Sequence, residues 1–252
     1  MEIRYLLDKL KLLESEVEPK DDEQIIEPES EKPTKVKKQK RLAPNGKPSN
    51  LNPTQYLQVR TPAFKAWFGD WENNPESASK VVDENGEPMV VFHGTTSKSK
   101  FTSFNAHSPN FFTHDAEYAK VYSHGKSPMA VFLSIKHPFD SRDSDALDFY
   151  NSKFVPYFTN RFPRLAAEGL VPLKAGEAVP FIWADQLFSS LRSFGRAGES
   201  TYDGIYVDEG DTPKIAKSTA QFAYVPMTNT QIKSAKQNVG YNPESDNIHE
   251  EL

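Results

Sequence analysis

At 252 residues the chain has room for one medium domain with tails, or for two small ones. An apolar share of 37% and a mean hydropathy of -0.65 leave part of it with too little to bury. A net charge of -5 argues against nucleic-acid binding by the whole chain, and the absence of cysteine excludes disulfides and thiolate metal sites.

Ile3, Leu6, Leu7, Leu10 and Leu13 follow helical spacing, so residues 1–16 are expected to carry a short amphipathic helix. The same stretch alternates charge with leucine and lacks the uncharged core of a signal peptide. No window approaches a membrane span, and a soluble, intracellular protein is expected. Residues 14–31 then carry nine acidic side chains and one lysine, and residues 32–47 carry seven basic ones. Blocks of like charge repel internally, so 17–49 reads as a flexible acidic-then-basic linker. Residues 50–240 form the expected folded domain, and 241–252 a flexible tail.

Thr61-Pro62 is a helix start, with proline at the first helical position. Phe64, Trp67, Phe68 and Trp71 follow at i, i+3, i+4 and i+7, a core stripe or an aromatic ligand platform. Val81-Val82 and Met89 to Phe92 flank Asn85-Gly86, a hairpin signal because both turn residues accept positive φ. His93 therefore stands where the second strand leaves its sheet. "MAVFLSIKHPFD" reads as a strand, "DALDFYNSKFVPYF" and "FIWADQLFSSLRSF" as helices, and "YDGIYVDE" and "QFAYVPM" as short strands. Helices and strands alternate without a βαβ rhythm, which favours α+β. No internal repeat is evident.

Three segments offer chemistry: His93-Gly94-Thr95, "NFFTHDAEYAKVYSHG" over 110–125, and the polar-flanked strand "STAQFAYVPM" before "TNTQIKSA". In the second, His114, Asp115, Glu117 and His124 are ligand types for zinc or manganese. Asp115 and Glu117 point to different helix faces, however, and the histidines are ten residues apart. The helix bearing Tyr118, Val121 and Tyr122 could also simply pack a core.

The long tryptophan-containing stretch "VRTPAFKAWFGDWENNPESASKVVDENGEPMVVFHGTT" resembles the ADP-ribosyltransferase domain of phage and mobile-element polyvalent proteins. "FFT", "VFLSIKHPFD", "YDGIYV" and "QIKSA" are similar to the same family, whose histidine-tyrosine-glutamate branch includes diphtheria-type toxins and poly(ADP-ribose) polymerases. The resemblance covers about residues 44–238. It implies a pair of packed antiparallel sheets with surrounding helices, and mono-ADP-ribosyl transfer from NAD without a metal. It also implies phage-encoded action on a macromolecular acceptor in the host cytoplasm, protein before nucleic acid. The N-terminal arm would dock a virion or host partner.

By the same resemblance, His93 holds a ribose hydroxyl of NAD, the Gly94 backbone grips the carboxamide, and Thr95 adds a hydroxyl. Imidazole and a bare backbone suit those tasks. Phe111 and Tyr122 stack the nicotinamide, with Tyr118 as the alternative tyrosine. Phe111 replaces the tyrosine of the family pattern, losing a hydroxyl and keeping the ring. Gln221 takes the position of the late-strand glutamate that would stabilise an oxocarbenium ion. Losing that charge costs a factor of ~10² to 10³ in rate. Either Gln221 serves as it stands, or an acid such as Glu199, Asp203 or Asp208 reaches in. The competing reading is an NAD-binding or virion module of the same fold with weak or no catalysis.

Overall fold

The computed structural model describes residues 41–97, 101–210, 221–236 and 238–250. The helix expected within 1–16 and the linker up to residue 40 lie outside them. Asn52 and Thr61 open two short helices, α1 (Pro53–Gln58) and α2 (Pro62–Phe68), each with proline at its start. The Asn52 and Thr61 side-chain oxygens accept from the Gln55 and Phe64 amides, pairing N–H groups the first turn leaves free. The aromatic stripe of α2 is core. Phe64, Trp67, Phe68 and Trp71 are buried, and Phe64 meets Phe132 edge-on at 5.2 Å. Both indole N–H groups donate to backbone carbonyls, of Thr230 and Val59, so no ligand platform remains there.

Residues 41–49, expected within the flexible linker, are structured. Gly46 and Gly86, both at positive φ, close turns of one pattern, "APNGKP" and "DENGEP", which meet through an Asn45–Asn85 hydrogen bond of 3.0 Å. The short repeat was not anticipated. The predicted hairpin shrinks to a turn closed by a single Val82↔Pro88 bridge, because Pro88 has no N–H with which to extend a ladder. The strand proper, β1, is Val91–His93.

β1 pairs antiparallel with β2 (Met129–Leu133), which pairs antiparallel with β7 (Ile232–Ser234). Alternation along β2 buries both faces. Ala130 and Phe132 join the α1–α2 cluster, while Val131 and Leu133 join Val91, Phe112 and Ile232. The second sheet centres on β5 (Gly204–Gly210). β6 (Gln221–Pro226) pairs antiparallel along one edge; β3 (Pro138–Phe139) and β4 (Val179–Pro180) run parallel along the other.

The fold is therefore α+β with two sheets, and the second is mixed rather than wholly antiparallel. Its parallel pairs follow from the helical crossovers that precede β5. These helices are α4 (Ser144–Phe149), a π turn, α5 (Val155–Arg161), α6 (Pro163–Ala166) and α7 (Ala184–Arg196). They pack a core of Phe139, Tyr150, Leu187, Ile205 and Val225 against β5 and β6.

Residues 111–113 join the two sheets. Thr113 exchanges backbone hydrogen bonds with Phe92 of β1, and Phe112 exchanges them with Tyr224 of β6. Residues 241–250 are packed, where a flexible tail was expected over 241–252. Tyr241 and Ile248 are buried, and fully buried Lys233 donates to the carbonyls of Ser245 and Asn247 and to Glu250. A buried ammonium needs such partners, so residues 238–250 fold back over β7.

Candidate active site

At the junction of the sheets lies a cavity of about 150 Å³ lined by Phe92, His93, Gly94, Phe111, Thr113, Tyr118, Ala119, Tyr122, Phe181 and Glu209. A space of roughly that size takes a single six-membered ring. Wider hollows of 340 and 550 Å³ lie elsewhere, beside α5–α7 and beside Lys136 and His137. The second of these also holds a histidine, aromatics and carboxylates, but the smaller cavity sets the strand-end His93-Gly94 and a carboxylate among five aromatic rings, and it is the candidate.

His93, the last residue of β1, is set between the rings of Phe104 and Phe112 at 5.0 and 5.3 Å. Its Nδ1 lies 2.9 Å from the Phe111 carbonyl, which can only accept. Nδ1 therefore carries the proton, and Nε2 is left as an acceptor. Burial holds the imidazole below its ordinary pKa, against the opposing pull of that carbonyl. It is neutral at pH 7.

Gly94 follows immediately. A Cβ there would stand 2.2 Å from the Ala119 carbonyl oxygen and 2.6 Å from Tyr122 Cβ. The missing side chain lets α3 (Ala116–Tyr122) dock directly on the strand end. That contact was not foreseen from the sequence. Asp115 caps α3 through the amides of Glu117 and Tyr118, which fixes where the tyrosines point.

Tyr118 and Tyr122, one turn apart, both reach the cavity, so both tyrosines named from the sequence belong to it. Tyr118 is 2% exposed and Tyr122 is 53% exposed, so a purely core role does not fit this helix face. The Tyr118 hydroxyl donates to Glu209 Oε2 at 2.6 Å and lies 2.9 Å from the Tyr122 hydroxyl. With its one proton committed to Glu209, Tyr118 accepts from Tyr122. Burial raises the Tyr118 pKa.

Phe111 lines the cavity beside Phe181, at 5.0 Å between ring centres. Thr95 does not line it; its hydroxyl accepts from the Ser97 amide. Gln221 opens β6, its backbone paired with Gly210. Of the alternative acids, Asp203 is taken up by the amides of Lys136 and His137, and Glu199 lines the hollow beside His137. Asp208 does not line the cavity either. The acid that does is Glu209, one residue further, and sequence reasoning missed it together with Phe181. Burial raises the Glu209 pKa, and the hydrogen bond from Tyr118 opposes that rise.

The alternative metal set does not assemble. Asp115 caps α3, Glu117 pairs with Lys120, and among the described residues no three His, Asp or Glu side chains gather as a metal site. No helix among the described residues is long and apolar enough to cross a membrane.

No curated protein and no solved structure matches the chain. The family model described as ADP-ribosyltransferase in polyvalent proteins matches residues 83–242, a span that contains every residue lining the cavity. Well over half of the chain lies in that match, and the chain belongs to the ADP-ribosyltransferase family of polyvalent proteins.

Proposed function

We propose that the chain cleaves the nicotinamide–ribose bond of NAD and transfers ADP-ribose to a macromolecular acceptor, protein in preference to nucleic acid. One observation carries the reading. His93, Gly94, Phe111, Tyr118 and Tyr122 line a single ring-sized cavity together with a carboxylate. Neutral His93 presents Nε2 to a ribose hydroxyl, which donates to it. The aromatic faces of Phe111 and Tyr122 receive the nicotinamide, whose positive charge they favour. The N-glycosidic bond breaks, its electron pair leaves with neutral nicotinamide, and the acceptor attacks the anomeric carbon of an oxocarbenium-like centre. Positioning supplies much of the rate. Net charge of -5 disfavours a nucleic-acid acceptor. The setting we propose is phage-encoded action in the host cytoplasm, with the N-terminal arm docking a virion or host partner.

A second reading, an NAD-binding module without transfer, draws on Gln221 heading β6 without a charge. Adenine-labelled NAD incubated with host lysate separates the two. Wild-type protein is expected to label material that protease, not nuclease, releases. His93→Ala is expected to lower labelling by about 10²-fold, from a lost orienting contact. Labelling that survives His93→Ala contradicts the proposal; NAD binding without labelling selects the second reading.

A further inference from the structure

β5 and β6 keep a one-to-one register from Gly204↔Pro226 to Asp208↔Phe222, and then Gly210, not Glu209, pairs with Gln221. Glu209 is thus an extra residue in β5, opposite no residue of β6. Such bulges turn a side chain out of the regular alternation and occur next to active sites. Here the displaced side chain is the carboxylate of the cavity, and the next pair in register contains Gln221.

A half-buried carboxylate has to be held, and the hold is specific. Tyr118 donates to Glu209 Oε2 at 2.6 Å, and Tyr122 donates to Tyr118 at 2.9 Å. The chain of three groups runs from the cavity to solvent, because Tyr122 is more than half exposed. Nothing in the packing of β5 requires an acid at this position. Ile205 and Val207, four and two residues earlier, are buried hydrophobics on the same strand.

We infer that Glu209, carried on the β5 bulge, is the catalytic carboxylate of this site in place of the neutral Gln221, and that Tyr118 positions it and relays its proton. The inference rests on the NAD reading above. In the reaction, ionised Glu209 stabilises the positive charge that develops on the ribose as neutral nicotinamide departs. As the acceptor forms its bond to the anomeric carbon, its proton passes to Glu209. With Glu209 protonated, the Tyr118 and Tyr122 hydroxyls turn round, so that Glu209 donates to Tyr118, Tyr118 to Tyr122 and Tyr122 to water; the proton then leaves along that chain, and the hydroxyls return to re-form the Tyr118 bond to ionised Glu209. Charge and atoms balance without a further reactant.

The test measures NAD affinity and nicotinamide release for wild type, Glu209→Gln and Tyr118→Phe, each checked for an unchanged melting curve. Glu209→Gln is expected to bind NAD within about threefold of wild type and to lose ~10² to 10³ in kcat, as for removal of one preorganised charge-stabilising group. Tyr118→Phe tests the positioning role. The titrating groups that face Glu209 are Tyr118 and Tyr122 from α3 and His93 from β1. The Tyr118 hydrogen bond lowers the Glu209 pKa, so its loss is expected to move the acid limb of kcat/KM to higher pH. If Glu209→Gln stays fully active, or loses activity through lost NAD affinity, Glu209 is not the catalytic carboxylate. If the limb stays in place in Tyr118→Phe, Tyr118 does not position it. If wild type binds no NAD, the reading beneath the inference falls and the inference falls with it.

Discussion

Two adjacent residues, His93 and Gly94, divide the work at the end of β1. The Phe111 carbonyl settles the His93 tautomer, and burial settles its charge. Nitrogen NMR is expected to show the Nδ1–H tautomer at pH 7, with a titration midpoint below the ordinary value of about 6.5. A midpoint at or above that value contradicts the assignment. The sign for stability follows. The unfolded chain takes up the proton first, so the contribution of His93 is complete above about pH 6.5 and shrinks as pH falls below it. Gly94 is needed for contact: a Cβ would overlap the backbone of α3. Gly94→Ala is expected to push the helix away, cost about 1–3 kcal/mol in urea unfolding, and weaken NAD binding through displaced Tyr122. Unchanged stability would mean that α3 moves freely, and the cavity would lose its defined wall.

At the scale of elements, the C-terminal segment ties down β7 by a buried ion pair. Lys233 is fully buried, and Glu250, at 2.5 Å, also accepts from the Asn242 amide. Removing one partner leaves an ammonium facing only two carbonyls. Glu250→Ala is expected to destabilise by about 3–5 kcal/mol, whereas the double change Lys233→Met, Glu250→Leu recovers most of that loss. Equal loss in both variants would show that the segment is held by Ile248 and Tyr241 rather than by the pair. The family match stops at residue 242, before Ile248 and Glu250. Nothing in the local pattern of 241–250 predicted order, because its anchor is a lysine in a distant strand.

Across the whole molecule, the cavity exists because one strip of chain, 111–113, hydrogen-bonds to both sheets at once. What local periodicity and turn chemistry encode was legible: the α2 stripe, β2, β6, and His93 at a strand end. Phe111, Tyr118 and Tyr122 were legible through resemblance, and the cavity gathers them. Glu209 was not, because among the acids of "VDEG" only a register shift against β6 distinguishes it, and register is a property of two strands. Phe181 was read as an ordinary helix start, and its approach to Phe111 is equally non-local.

The central claim is that this cavity opens the nicotinamide–ribose bond. Its most direct test follows nicotinamide release from NAD labelled in that ring, in the presence of host lysate. Wild-type protein is expected to release label, and His93→Ala and Phe111→Ala to fall by about 10²-fold, each through misplacement of the same bond. Release that is absent from wild type, or undiminished in both variants, would contradict the claim.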